Sequence, residues 1–440
     1  MSFIRNSVLT FLGTLARVVF SMASQVIISR VLGPVGKGMY AFLVQIPTVL
    51  VPLSSLGLNY ANTYYVAHDP GNRRVAAGTS TVMGWFLGLG MSLAVAASYV
   101  LLRTGYLHDV TPKQLLLILV VMPFGLINLY WLGILWGMDR IGKYNIGLLI
   151  QYVIVAVGVG LVALLGKLTV TTAFGIWVVG NVLTTLLMLP DIAGVAGWGL
   201  FRFSYRYLRN TIGYGLKSYA ANVMMVINYR LDVFIITGFL PLAQVGLYTT
   251  AVSLAEMVGY VGNAVNTALI PKLASGQESL TFEGTPKVVR VTILLTLLIA
   301  LGMAALGYPL IILFFGRRFL GSFSPLLLLL PGIVALGGSV VLSGDLMARG
   351  KPHYNSIATG VSVVLTIILD FTLIPVWGIA GAAVASTCVY TALFTLNFLF
   401  YRRESKKTLR QVLVPTRADF GEVWSFLSRI VGQRLLSWRG

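Results

Sequence analysis

Apolar runs of about 20 residues alternate along this chain with short polar breaks, the spacing of helices that cross a hydrocarbon layer about 30 Å thick. Twelve such helices are predicted, at 7–32, 40–65, 76–101, 114–136, 144–165, 171–190, 213–238, 245–270, 288–313, 324–347, 354–375 and 379–401. The polar residues inside the first run are ordered. Thr10, Thr14, Arg17, Ser21 and Ser24 follow one another at spacings of four, three, four and three, so they share one helical face. Arg17 sits about ten residues into the run, about 15 Å along a helix. That is near mid-bilayer, where an arginine costs roughly 2.5–3.5 kcal/mol and faces a partner or a wet cavity. A second stripe, Gln45, Thr48, Ser55, Asn59 and Asn62 with Pro52 in series, marks the second helix.

A shift of 208 positions brings the helix starts of the two halves nearly into register. VLGPVGKGMY at 31–40 overlays FLPLAQVGLY at 239–248, pairing Leu32 with Leu240, Gly38 with Gly246 and Tyr40 with Tyr248. The first stripe maps onto Ser218, Asn222, Met225, Tyr229 and Asp232. The second maps onto Ser253, Glu256, Asn263, Thr267 and Ile270, with Tyr260 opposite Pro52. The expected fold class is therefore an all-α integral membrane protein of twelve transmembrane helices. Two pseudo-symmetric six-helix lobes, 1–192 and 213–401, would flank a central cleft lined by helices one, two, seven and eight. Residues 193–212, which include FRFSYRYLRN, read as a basic cytoplasmic linker, and 402–440 as a basic amphipathic cytoplasmic tail. Six helices per repeat give both halves the same sidedness.

Composition agrees: 57% of the 440 residues are hydrophobic and 10% charged, against about 25% charged in soluble domains. The net charge of +19 would suggest nucleic acid in a soluble chain, but here the basic residues sit at the ends of apolar runs. Nucleic-acid binding is set aside, since no soluble domain could present a basic face. With the N-terminus inside, the inner breaks hold fourteen Lys and Arg and the outer ones seven, Lys37 among the latter. The positive-inside rule then puts both termini in the cytoplasm. The tail carries nine basic residues against three acids. Phe420, Val423, Trp424, Leu427, Ile430 and Val431 share a face there, so it should lie on the anionic leaflet.

Catalytic motifs are missing. GPVGKGMY lacks the Ser or Thr and the earlier Gly of a phosphate-binding loop, and GVGLVA at 158–163 sits inside an apolar helix with no strand before it. His68, His108 and His353 fall in separate breaks, the one cysteine is Cys388, and neither a metal nor a cofactor is expected. The intramembrane charges are Arg17, Arg230, Asp232, Glu256 and Asp370. Arg17 reads either as an anion anchor or as a structural pair with an acid. Asp232 and Glu256 read either as proton or Na⁺ sites or as partners for the arginines. Arg230 and Asp370 read as structural.

SRVLGPVGKGMYAFLVQIP with LGLNYANTYYVA, YRLDVFIITGFLPLAQVGLYTTA, and ARGKPHYNSIATGVSVVLTIILDFTLIPVWGIAGAAVAS resemble segments of the O-antigen and exopolysaccharide repeat flippases. These belong to the multidrug/oligosaccharidyl-lipid/polysaccharide exporter superfamily. The resemblance implies alternating access in the cell membrane and export of undecaprenyl-pyrophosphate-linked oligosaccharide. Its implied partners are membrane lipids, a polysaccharide polymerase and assembly proteins. It assigns Arg17 to the anionic headgroup, and the cost of stripping water from that group adds Arg30, near the outer mouth, as a second expected contact. Ser21, Ser24, Gln45, Thr48, Asn59, Asn62, Tyr260 and Asn263 would contact the substrate, and Asp232 and Glu256 are the candidates for ion coupling. A multidrug antiporter of the same superfamily and a membrane glycosyltransferase or polymerase are the competing readings. Only one acid, Asp109, falls in the outer breaks, which disfavours the second.

Overall fold

The computed structural model describes residues 2–102, 105, 107–274, 284–416 and 419–421, excepting the side chains of 2–9, 11, 12, 217, 218, 220, 221 and 261–274. Every predicted helix falls on helix over most of its length. The elements are α1 (Ser2–Ser54), α2 (Leu58–His68), α3 (Asn72–Leu102), α4 (Pro112–Gly137), α5 (Ile141–Leu164), α6 (Val170–Ala196), α7 (Tyr205–Phe239), α8 (Leu242–Ala274), α9 (Gly284–Phe314), α10 (Phe323–Ala348), α11 (Pro352–Ser405) and α12 (Leu409–Leu413). Nine stretches among the described residues are long and apolar enough to cross a membrane. Phe86 is 71% exposed and Leu164 86%, surfaces that belong against lipid and not water. This is a multi-pass membrane protein.

Two of those stretches each hold two predicted helices run together. α1 folds back on itself at Gly33 (φ 69°, ψ −175°) and α11 at Gly378 (φ 60°, ψ −138°). Both lie in the positive-φ region that glycine enters without penalty. Pro34 then opens the second arm of α1, where its missing N–H breaks no helical bond. Elsewhere local chemistry sets the starts: Thr111 with Gln114 and Thr169 with Thr172 form capping boxes at α4 and α6.

Four expectations change. Lys37, assigned to an outer loop, lies inside the second arm of α1 and is only 3% exposed, because that arm starts at Pro34 and not at 40. The predicted second helix breaks after Ser54. Leu56 (φ 50°) and Gly57 (φ 71°) take left-handed backbone before α2 begins, so the face drawn from Gln45 to Asn62 is not one helical face. α7 starts at Tyr205, ahead of 213, because the Ser204 side chain accepts from Tyr207 N and caps it. Part of the supposed linker is thereby helix. Lastly, the described part of the tail docks on protein. Val412 is fully buried among Val289, Val341, Leu342, Phe398 and Tyr401. Val423 to Val431 lie outside the described residues.

The chain divides into two compact units, Met1–Leu247 with Phe314–Arg318, and Tyr248–Leu313 with Phe319–Gly440. In the first, α1 packs against α4, α5, α6 and α7 around Ile28, Phe42, Leu43, Ile118, Met122 and Phe174. The start of α8 also belongs here, and it meets α1 at repeat-equivalent glycines. A Cβ on Gly38 would lie 1.9 Å from the Leu242 carbonyl oxygen, and one on Gly246 2.0 Å from that of Pro34. Pro34 and Leu242 are themselves 208 positions apart. The contact is thus reciprocal, each arm offering the same carbonyl to the other's glycine.

In the second unit α10 and α11 pack along their lengths, and ion pairs among the described residues brace the helix ends. Asp345 accepts from Thr285 (2.7 Å) and from both arms of Arg349 (2.6 and 2.9 Å). Glu404 meets Lys351 and Tyr354. Arg290 donates Nε to Asp419 (2.7 Å), whose side chain is 1% exposed. Burial pushes the Asp419 carboxyl up, but the hydrogen bonds from Arg290 and Thr416 outweigh it and hold it below 3.8.

Gly38→Val is expected to force α1 and α8 apart, since the facing atoms are backbone and cannot yield. Thermal unfolding in detergent should show a loss of about 1–3 kcal/mol, and wild-type stability would refute the contact. Because the folded pKa of Asp419 is depressed, its contribution is present above the ordinary carboxylate range and lost as pH falls through the folded value. Arg290→Ala should loosen the tail by about 3 kcal/mol at neutral pH, as expected for a buried pair that loses one partner. Limited proteolysis after α11 measures this.

Candidate functional site

The polar face of α1 turns into the first unit. Thr14 Oγ1 donates to the Thr10 carbonyl (2.9 Å), and Arg17 Nη2 donates to Thr14 Oγ1 (2.8 Å). From α5, Asn145 Nδ2 donates to Thr10 Oγ1 (3.0 Å), while the buried Asn145 Oδ1 has no hydrogen-bond partner. The neighbouring Tyr144 lies close enough to feel the charge of Arg17. Arg17 is half-buried and forms no ion pair with a carboxylate among the described residues. The structural acid partner that the sequence left open is absent among the described residues.

Further along the helix Ser24, 5% exposed, donates to the Ser21 carbonyl (2.8 Å), and Gln25 Nε2 donates to Ser21 Oγ (3.4 Å). The second arm of α1 then returns alongside. Lys37 Nζ donates to Gln25 Oε1 at 2.9 Å. Thr10 to Lys37 therefore form a polar strip along the inside of one folded-back helix, held by α5 below and by the return arm above. Sequence reasoning missed Gln25, Lys37 and Asn145. Gln25 stands four residues from Ser21 and eight from Arg17, so its spacing was visible. Lys37 was hidden by glycines that read as loop. Asn145 needs the α1–α5 packing to be found.

The second stripe divides. Gln45 is 7% exposed with Nε2 unpartnered, and Thr48 donates to the Val44 carbonyl (2.8 Å). Past the break at 55–57, Asn59 keeps a buried, unpartnered Oδ1. Asn62 is fully buried with every polar atom occupied: Nδ2 donates to Ser80 Oγ (2.7 Å), and Oδ1 accepts from the Tyr207 hydroxyl (3.1 Å). It joins α2, α3 and α7. Beside it Tyr130 donates to the Ser55 carbonyl (3.0 Å), and Tyr219 of α7 donates to that of Leu53, so both broken ends are tied down.

Arg30 is exposed at the end of the first arm and donates Nε to the Phe314 carbonyl (2.8 Å). Asp232 is 8% exposed on α7 and accepts from Val233 N (2.7 Å). Glu256, half-buried, and Tyr260, 43% exposed, lie on the α8 segment of the second unit. The Asn263 side chain lies outside the described residues. Among the described residues no group of three His, Cys, Asp or Glu could hold a metal. The geometry is that of a membrane-embedded polar strip that carries Arg17 and Lys37, with the unpartnered Asn145 Oδ1 beside it among the described residues.

A family model for polysaccharide biosynthesis proteins matches residues 3–277, more than half the chain and all of this strip. The chain belongs to the polysaccharide biosynthesis protein family. A putative O-antigen transporter of Shigella flexneri is 22% identical over 418 residues, covering 91% of this chain and 98% of its own. Two solved structures share the fold of this family member. A multidrug resistance MATE family transporter of the MOP superfamily superposes with TM-score 0.72 at 14% identity, over 91% of this chain and 98% of its own. The lipid II flippase MurJ does so with TM-score 0.70 at 13% identity, over 92% and 89%.

Asn62→Leu should cost about 1–3 kcal/mol of stability, because the buried Tyr207 hydroxyl loses its acceptor and Ser80 its donor. A thermal melt in detergent would show it. An unshifted midpoint would mean that the joint is not needed for folding.

Proposed function

We propose that this family member is a flippase. It moves undecaprenyl-pyrophosphate-linked oligosaccharide from the cytoplasmic to the outer leaflet of the inner membrane. Two six-helix halves alternate access across twelve spans, with both termini in the cytoplasm. The observation that carries the reading is Arg17, a cation within a membrane helix that meets a threonine and no carboxylate among the described residues. A guanidinium left without an anion in such a place is set to accept one. The pyrophosphate, leaving water, would trade hydration for charge-assisted hydrogen bonds there. The orphaned Gln45 Nε2, Asn59 Oδ1 and Asn145 Oδ1 offer one kind of donor and one kind of acceptor to sugar hydroxyls. Ser21 and Thr48 complete the proposed lining on the first unit. The O-antigen transporter among its relatives supports this substrate class.

In this reading no covalent bond is made or broken. Carrying negative charge outward is helped by an inside-negative potential, at about 2.3 kcal/mol per charge per 100 mV. Coupling to H⁺ or Na⁺ through Asp232 or Glu256 is compatible with transport but not required for it. A multidrug antiporter is the competing reading, and a cation at the site suits anions over the organic cations such antiporters expel.

Arg17→Ala should abolish polymer export while the protein still inserts and accumulates in the membrane. Normal surface polysaccharide from that variant would remove the proposed role. In proteoliposomes, efflux of cationic dyes by the wild-type protein would favour the antiporter instead.

A further inference from the structure

Lys37 stands out because no described carboxylate balances its charge. It is 3% exposed, its hydrogen bond goes to the neutral Gln25 carboxamide, and it forms no ion pair among the described residues. Burying an ammonium group this way costs several kcal/mol. Packing does not require it: the equivalent position in the second repeat is Val245, which is 0% exposed. The same burial is thus achieved there by an apolar residue.

Its setting gives it a use. Gly38, the next residue, is seated against Leu242 and Gly246 with no room for a Cβ. Any parting of α1 from α8 therefore begins beside Lys37. Its hydrogen bonds lead back through Gln25 to Ser21, one turn from Arg17. Gln25 and Arg17 are eight residues apart, about 12 Å along the helix, so the strip carries cations at two depths.

We propose that Lys37 is a second anion-binding cation, uncovered when α1 separates from the start of α8, which takes the pyrophosphate headgroup onward from Arg17. The inference rests on the flippase reading above. A ligand shifts a conformational equilibrium only by binding one state better than the other. In the closed contact Lys37 offers an anion nothing; once uncovered, it offers a full charge. The headgroup thereby favours opening, and relief of the buried charge acts in the same direction.

The test uses the full-length protein in nanodiscs with geranyl pyrophosphate as probe. Lys37→Met should lower affinity at least tenfold with no loss of thermal stability, and Lys37→Arg should stay within about threefold of wild type. Inorganic pyrophosphate should compete in the wild type and at least tenfold more weakly in Lys37→Met, where Arg17 alone remains to bind it, which assigns the contact to the headgroup and not the prenyl chain. In a Cys388→Ser background, geranyl pyrophosphate should speed maleimide labelling of Leu242→Cys when Lys37 is present and not when it is Met. Unchanged affinity in Lys37→Met alongside lost affinity in Arg17→Ala would overturn the Lys37 proposal alone. A Lys37→Met variant that melts early and binds normally would make the residue structural. Wild-type protein that does not bind the probe would overturn both readings.

Discussion

A charge inside a membrane must be answered by something, and the architecture of the first unit follows from how that demand is met. Hydrocarbon offers no hydrogen bonds, so polar side chains must find one another or line a wet space. α1 meets this by folding back at Gly33, which brings Lys37 over Gln25 and so continues the row begun by Thr10, Thr14 and Arg17. Asn145 closes the row from α5. Among the described residues neither cation pairs with a carboxylate, and Asn145 Oδ1, beside the row, lacks a hydrogen-bond partner. That arrangement is poor for a resting core and is the basis of the proposed anion site.

Close backbone approach is the second constraint. Gly38 and Gly246 let two helices meet at carbonyl distance, and the contact is reciprocal because the residues are equivalent in the two repeats. Without a hydrophobic driving force between helices in lipid, small residues supply the packing. A contact centred on backbone and glycine has few side chains to untangle when it parts. It therefore suits a joint that must open and close. The tied break at Ser54–Leu58, where Leu56 takes a left-handed conformation, is a second place where strain has been retained and braced by Tyr130 and Tyr219.

The tail obeys a different rule. Before its predicted lipid-facing segment begins, Val412 finds a protein pocket, and Asp419 finds Arg290, two specific partners. Amphipathic patterning states that a face will be covered. It does not state by what.

Apolar run length determined the helices, since about 20 residues without charge leave few alternatives, and the 208-residue shift paired Gly38 with Gly246 before any contact was known. Helical spacing likewise determined the Thr10–Ser24 face and the standing of Arg17, because 3.6-residue geometry is local. Only the tertiary structure decided that Asn62 joins three helices while Asn59 keeps an unpaired oxygen. The two lie three residues apart on the same short helix, and what separates them is which neighbours arrive. Only the structure, too, decided that Lys37 is buried: its local sequence reads as loop, and the burial comes from the fold-back at Gly33 and the return of the arm alongside Gln25. Periodicity reports which residues share a face. The partner that face will meet depends on contacts between residues distant in the chain, which no local pattern encodes.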